Sequence, residues 1–459
     1  MNKSLRTIFV YLVMAIILAA LSGFTLPSRQ SKKIAVPEVH LAVQNSSFEE
    51  MDGSLPKGWK TRTWQPKAVF EVDSTVAHSG KNSLKISSAE GADASWMTVV
   101  PLKPEVLVDA RKTLHPMSKY IYGQFIEHLG RSIYQGIWAE MLEDRKFYYA
   151  VGSPDSPWKP LGEPHSVWMN PVVAYVGVHA PEVRLKGDGR PGGIAQEGLA
   201  LIQEKKYVGR VVLAGDPGVS PLNVRLRWGP GAEDRQTISI ADVKSDYSTF
   251  PLSFTAGATA ENARLEVWSN GGEAFRVGTV SLMPADHVEG FRPEVLALLK
   301  ELDSPVYRWP GGNFVSGYNW KDGVGDPDRR PPRKNPAWQG IEHNDVGIHE
   351  FLAFCKLIGT EPYITVNSGQ GDERLAADEV EYVNGAAGTP MGEWRARNGR
   401  PEPWGVKWWS IGNEMYGDWQ LGHMPLQDYV KKHNRLARAM LAKDPAIKLV
   451  GVGAVGAWS

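Results

Sequence analysis

Two rhythms of apolar residues run along the chain, and they predict two kinds of structure. From 36 to about 103, stretches such as "AVFEVDST", "SLKISS" and "SWMTVVPL" alternate apolar and polar positions between Gly, Pro and Asp. From about 172 to 285 the style returns in "KKYVGRVVLAG", "NVRLRWG", "TFPLSFTAG", "ARLEVWSNG" and "FRVGTVSLMP". Period-two alternation at short spacing predicts half-buried antiparallel strands, so both segments read as β-sandwiches, the first abbreviated.

Elsewhere the rhythm changes. "KYIYGQFIEHLG", "PVYRWPGG", "EPYITVNSG", "VKWWSIGNE" and "IKLVGVGA" read as five strands. The helical patterns "RPEVLALLKELD", "GIHEFLAFCKLIG", "AADEVEYVNG" and "LQDYVKKHNRLARAMLAKD" separate them after a long β-rich insert. Strand–helix alternation predicts βα units and a parallel sheet. Strand after strand closes on polar or glycine-rich residues: Glu127, "RWPGGN", "VNSGQG", "GNE". A barrel gathers its site from several such ends. A doubly wound sheet concentrates it at one switch point, often with a Gly-rich phosphate loop, and no G-x-G-x-x-G follows the first strand. The fold class expected is α/β, a (β/α)8 TIM barrel. About five strands are present, and a β-sandwich or jelly-roll module is inserted. A barrel needs eight strands, so the chain is expected to be truncated after the fifth.

The expected organisation is a signal peptide over 1–30 and a partial sandwich over 36–103. The barrel begins at 104–150, the inserted module spans 172–285, and the barrel continues over 287–459. Lys3 and Arg6, the apolar run Ile8 to Leu21 and polar "SRQSKK" follow the order of an export signal, with an uncleaved anchor as the alternative. The chain therefore reads as secreted or periplasmic. Its one cysteine, Cys355, lies on an apolar helical face and forms no internal disulfide. A net charge of +0 and the lack of a long basic run argue against nucleic acid as a partner. Seventeen Trp in 459 residues suit flat amphipathic surfaces such as sugar platforms as well as core. No His and Cys cluster has metal spacing, so neither metal nor cofactor is expected.

The stretch "KWWSIGNEMYGDWQ" places Asn413 and Glu414 at the end of an apolar strand. A carboxylate there is costly unless it is hydrogen-bonded, paired or used. It could simply reach solvent or meet an Arg. Two carboxylates at barrel-strand ends instead suggest glycoside hydrolysis, one acid protonating the leaving oxygen and a second carboxylate attacking or activating water. Glu414 fits the acid, with Trp408 and Trp409 expected to supply an apolar surround that raises its pKa.

Four blocks in order resemble glycoside hydrolase family 51, the α-L-arabinofuranosidases: "YGQFIEHLGRSIYQGIWAEML", "YRWPGGNFVSGYNWKDGVG", "NDVGIHEFLAFCKLIGTEPYITVN" and "KWWSIGNEMYGDWQLGH". The resemblance covers about 105 to 150 and 287 to 459. It implies a retaining mechanism with Glu414 as acid/base and Asn413 on the sugar 2-hydroxyl. It further implies Glu127 binding furanose hydroxyls and Arg308 and Asn313 shaping the same subsite; an ion pair from Arg308 to a glutamate is compatible with that role. His128 is expected to be a supporting hydrogen-bonding residue. Trp338 and Trp419 would stack on the aglycone side or pack in loops. The family's nucleophile, a second Glu on a later strand, falls beyond residue 459, so the 459-residue chain is expected to be an inactive fragment. Glu342 and Glu402 sit in loops that do not match the nucleophile motif. "GGIAQEGLALIQEKKYVGRVVLAG" resembles a carbohydrate-binding jelly roll, which could also be structural. The expected activity is removal of arabinofuranosyl side chains from arabinoxylan or arabinan, with a homo-oligomer left open. The rivals are another barrel glycosidase, an endoglucanase or xylosidase, and a non-catalytic carbohydrate-binding protein.

Overall fold

The computed structural model describes residues 43–63, 67–89, 91–98 and 116–454. The expected signal segment and residues 104–115 of the expected barrel start lie outside these. The chain divides into two compact units, Met1–Pro116 and Met117–Ser459. In the first unit the strands are β1 (Met51–Asp52), β2 (Leu55–Pro56), β3 (Trp59–Thr63), β4 (Val69–Asp73), β5 (Ser83–Ser87) and β6 (Ala94–Thr98). They pair antiparallel as β1 with β2, β3 with β6, and β4 with β5. Edge-on aromatic contacts of Phe48 with Trp59 and Phe70 with Trp96 supply packing within it.

The second unit starts with β7 (Gln124–Phe125) and continues into ten antiparallel strands. These are β8 (Trp158–Leu161), β9 (Val167–Asn170), β10 (Ala180–Arg184), β11 (Gly192–Leu201), β12 (Lys206–Gly215), β13 (Leu222–Arg227), β14 (Arg235–Ile240), β15 (Ser248–Thr255), β16 (Ala260–Ser269) and β17 (Ala274–Pro284). They form two sheets, ordered β9-β10-β17-β12-β15 and β8-β11-β16-β13-β14, that share one apolar core. The alternation in "LNVRLR" explains its partition: Leu222, Val224 and Leu226 enter that core, and Arg225 and Arg227 lie on the other face. Strands β8 and β9 precede residue 172, where the sandwich was expected to begin. Fully buried Trp158 belongs to the same core and draws β8 into the sheet.

Beyond the sandwich come β18 (Val306–Trp309), the short hairpin β19 (Arg333–Lys334) and β20 (Ile341–Glu342), β21 (Glu361–Val366), β22 (Trp408–Ile411) and β23 (Lys448–Val450). The helices are α1 (Pro293–Leu302), α2 (Ile348–Ile358), α3 (Glu373–Asn384), α4 (Pro390–Arg397) and α5 (Leu426–Lys443). The sheet β7-β18-β21-β22-β23 is parallel throughout and follows chain order. That winding is a barrel's; a doubly wound sheet reverses its order part-way. Among the described residues the sheet stays open. Local chemistry sets the helix ends. Glu350 accepts the Gly347 N–H, Asp372 caps Leu375 N–H, and Gly359 takes a left-handed φ of 79° to end α2. Helix α4 escaped the sequence pattern because it is short and polar; Thr389 caps it and Pro390 starts it.

Buried charges tie sandwich to barrel. Arg145 donates to both oxygens of Asp345 at 2.5 and 2.6 Å and to Asp328 at 2.7 Å. Asp328 also takes Arg210 of β12, at 2.5 and 2.8 Å. Lys146 lies 2.8 Å from Asp345 and donates to the carbonyls of Arg330 and His343. Burial pushes the Asp345 carboxyl up, but Arg145 and Lys146 outweigh it and hold the group well below the usual carboxylate range. For Lys146 burial prevails over Asp345 and lowers its ammonium to about 8.

Removing one partner of such a buried pair costs roughly 3–5 kcal/mol, so Asp345→Ala is expected to lower the melting midpoint strongly. A carboxyl depressed in the fold stabilises above its unfolded pKa of about 3.9, and that stability is lost as pH falls below it. Between pH 5 and pH 2 the native chain should therefore lose melting temperature more steeply than Asp345→Asn. Parallel slopes would remove Asp345 from this role.

Candidate active site

The parallel sheet brings its strand ends to one side, and the residues immediately beyond them meet there. Glu127 follows β7 by two residues and is buried. Its Oε1 accepts the Phe314 backbone N–H at 3.0 Å and the Trp338 indole N–H at 2.7 Å. The glycines of "RWPGGN" make this possible. A Cβ on Gly312 would stand 2.3 Å from Glu127 Oε2, and one on Gly311, with φ of 139°, would stand 2.5 Å from Glu127 Cγ.

Arg308 on β18 is half-buried over the Phe125 ring. Its Nε donates to Thr365 Oγ1 at 3.0 Å and its Nη2 to Asn413 Oδ1 at 2.9 Å. The fork thus spans β21 and the end of β22, and the expected Arg308–glutamate ion pair does not form among the described residues. Burial lowers its pKa against the opposing effects of Tyr363, Glu127 and Glu414, which places both carboxylates within electrostatic reach. Asn413 donates its Nδ2 to Asn313 Oδ1 at 3.1 Å. Gln420 joins the chain by donating to Ser316 Oγ and to the Asn313 carbonyl.

Glu414 takes a left-handed φ of 42°, uncommon outside glycine and a form of strain found at functional sites. Gly412 before it has φ of 84°, and a Cβ there would meet Ser368 Oγ at 1.7 Å. This tight turn swings the Glu414 carboxylate beside Tyr416 and Trp419, whose O–H and N–H donate to it at 3.3 and 3.2 Å. The expected surround of Trp408 and Trp409 is not there. Trp408 opens the strand, roughly 10 Å from Ile411 at the usual rise, and donates to Glu361. Trp409 is fully buried and donates to the Val406 carbonyl. Two adjacent residues on a strand cannot both face its end.

His128 works one step back. The Trp309 indole donates to its Nε2 at 3.0 Å, which makes Nδ1 the donor to Glu342 Oε2 at 2.5 Å. Glu342 is buried in β20 and also accepts the Tyr134 hydroxyl and the Asn344 N–H. Burial raises its pKa, but His128 and Tyr134 outweigh that and hold it below its ordinary value. Glu402 lies in an exposed loop apart from this group. A cleft of about 600 Å³ opens beside His128, lined also by Tyr134, Asp144, Asn335 and Glu342. Among the described residues no group of three His, Cys, Asp or Glu is placed to hold a metal ion.

Glu127, Arg308, Asn313, Asn413 and Glu414 therefore surround one place, with Trp338 bonded to the first carboxylate and Trp419 to the second. Sequence reasoning missed Gln420, Thr365, Tyr134 and Tyr416. Gln420 and Tyr416 stand in the same block as Glu414; Thr365 carries no motif and is found by register alone.

Residues 298–457 match the family described as the alpha-L-arabinofuranosidase 1 domain. The chain is 46% identical over 178 residues to alpha-L-arabinofuranosidase C of Emericella nidulans, covering 38% of this chain and 35% of that protein. It is 45% identical over 175 residues to an intracellular exo-alpha-(1->5)-L-arabinofuranosidase of Bifidobacterium longum, covering 38% of this chain and 31% of that protein. The chain thus spans about a third of the length of these curated relatives. A solved arabinose-bound family-51 α-L-arabinofuranosidase superposes with a TM-score of 0.63 at 20% identity, covering 72% of this chain and 58% of that one. At that identity the likeness is one of fold, a TIM-barrel catalytic domain with another domain.

Gly312→Ala is expected to cost about 1–3 kcal/mol by forcing Glu127 aside. Gly388→Ala, where a Cβ meets nothing within 4 Å, should be neutral. Melting midpoints of the two variants decide this, and equal values would mean that Glu127 is not packed against the glycine pair.

Proposed function

From a chain whose residues 298–457 match the alpha-L-arabinofuranosidase 1 domain, we propose a retaining, exo-acting enzyme that removes arabinofuranosyl groups from arabinoxylan or arabinan. The observation that carries the proposal is the convergence of Glu127 and Glu414 on the Arg308–Asn413–Asn313 chain. The exo character has support in the name of the Bifidobacterium relative. In the proposed reaction Glu414 protonates the departing glycosidic oxygen while a second carboxylate attacks the anomeric carbon. Glu414 then takes a proton from the water that releases arabinose. Glu127 gives Oε1 to Phe314 and Trp338 and offers Oε2 to a sugar hydroxyl. Asn413, fixed on both sides, presents itself to the 2-hydroxyl. Trp338 and Trp419 line the two sides of the entry. We read the strand order of the sandwich as a jelly roll, since β10-β17-β12-β15 faces β11-β16-β13-β14. The charged-then-apolar N-terminus supports reading the enzyme as secreted or periplasmic.

Turnover of a panel of nitrophenyl glycosides tests the substrate class, and α-L-arabinofuranoside should lead it. In the enzyme, Glu414→Ala should lose about 10²–10⁴-fold on unactivated arabinosides and much less in the first step on aryl arabinosides that need no protonation. Equal losses on both would remove Glu414 from the acid role. Glu127→Gln should depress kcat/KM on every substrate alike, since it holds the sugar and not the leaving group.

A further inference from the structure

On the sandwich, β9 is an edge strand, and its Trp168 is 44% exposed while its neighbours Val167 and Met169 pack against the core. The Arg184 guanidinium lies 4.7 Å from the centre of the Trp168 ring. Arg184 comes from β10, the strand on the inner side of β9, so the outer side of the ring has no strand beside it. The Arg184 stack fixes one side of the half-exposed indole and leaves it as a flat amphipathic surface at the sheet edge.

Beside it lies a cleft of about 620 Å³ that includes Arg184 itself. The β8–β9 turn contributes Glu163, His165 and Ser166, and the β10–β11 turn contributes Lys186, Asp188 and Arg190. Its charges are balanced in place. Arg184 bonds Glu182 at 2.9 Å, Arg190 bonds Asp188 at 2.7 Å, and Lys186 stands 3.4 Å from Glu163. Glu182 is held further by Asn170 at 2.8 Å. Pairs of this kind leave N–H donors and carboxylate acceptors facing solvent without a net field, which suits hydroxyl groups and not a charged ligand.

We propose that this edge is a second sugar site. Trp168 is its stacking platform, the adjoining cleft is its hydrogen-bonding groove, and its ligand is an uncharged polysaccharide. The choice of a plant polymer rests on reading the barrel as an arabinofuranosidase; the geometry of the site does not. The site lies on strands far in sequence from Glu127 and Glu414, so it would hold polymer and not carry out chemistry.

The test is affinity electrophoresis of the full chain in gels containing soluble arabinoxylan, linear arabinan or, as the charged control, polygalacturonate. The protein should be retarded by at least one neutral polymer and not by the charged one. Trp168→Ala should weaken that retardation at least about tenfold, Trp168→Phe should keep part of it, and Glu414→Ala should leave it intact. In an enzyme with its barrel completed, turnover of a nitrophenyl arabinoside by Trp168→Ala should match the parent, so the arabinofuranosidase reading and this one can fail separately. Unchanged retardation of Trp168→Ala, retardation by the charged polymer alone, or none in any gel would overturn the proposal. Should Trp168→Ala not fold, Arg190→Ala decides the same point: unchanged retardation there overturns the proposal, and a loss supports it.

Discussion

The buried guanidinium of Arg145 is the joint on which the second unit depends. It donates to four oxygens of other segments, both of Asp345, one of Asp328 and the Pro327 carbonyl. It pairs with Asp345 before α2 and with Asp328, which in turn holds Arg210 on the sandwich. Its own carbonyl accepts the Val280 N–H of β17. Such a network is a weak source of net stability, because desolvation offsets most of the Coulombic gain. Its value is geometric. The segment from Ile341 to Asp345 is held at one end by Arg145 and Lys146, and it presents Glu342 to His128. His128 is adjacent in sequence to Glu127. A charge cluster at the seam between sandwich and barrel thereby sets the position of a carboxylate at the strand ends.

The site itself is built to stay still. Arg308 is forked between Thr365 and Asn413, Asn413 between Arg308 and Asn313, and Gln420 closes the chain behind them. Each side chain has its rotamer fixed by a partner from another strand end. A ligand entering such a place would pay little to order the protein around it. The strained turn at Gly412 to Glu414 belongs to the same logic. A left-handed Glu costs of order 1–3 kcal/mol, and it persists only where the surroundings over-determine it.

Much of this was legible in the chain. The inner strands β18, β21 and β22 lie on the apolar runs, because a buried parallel strand is written as a continuous apolar stretch. Strands β7 and β23 are instead short and largely exposed, and Lys119–Tyr122 form a 3-10 turn where the first strand was expected. Helix α4 was not legible, since its eight residues, opened by Pro390, mix polar and apolar side chains without a periodic signal. Nor were β8 and β9, which are short; β8 gains its place from the buried Trp158 and β9 from pairing with β10. At the site, the residues named from "GNE", "FIEHLG" and "RWPGGN" do meet. Their partners were less accessible. Trp408 and Trp409 were misjudged as neighbours of Glu414 because adjacency in sequence is not adjacency across a strand end, where side chains alternate. Tyr416 and Trp419 take that position after a tight turn that only the backbone angles reveal. Arg308 could have paired with either carboxylate by charge alone; the cross-strand register assigns it to Thr365 and Asn413.

Rigidity at the seam has a consequence for how the sandwich can contribute. Arg210 and the β17 backbone bind it to the barrel through buried bonds, whereas a flexible linker would let it wander. Binding of a polymer to a tethered module raises the local concentration of its side chains near a catalytic site. With a flexible tether that gain is spread over many orientations. With a fixed seam it is concentrated on the few polymer paths that the geometry allows, and it is lost for all others. A chain lying across Trp168 would thus be oriented as well as retained. The same buried charges that hold Glu342 against His128 would then select which side chains of a polysaccharide come within reach of Glu414.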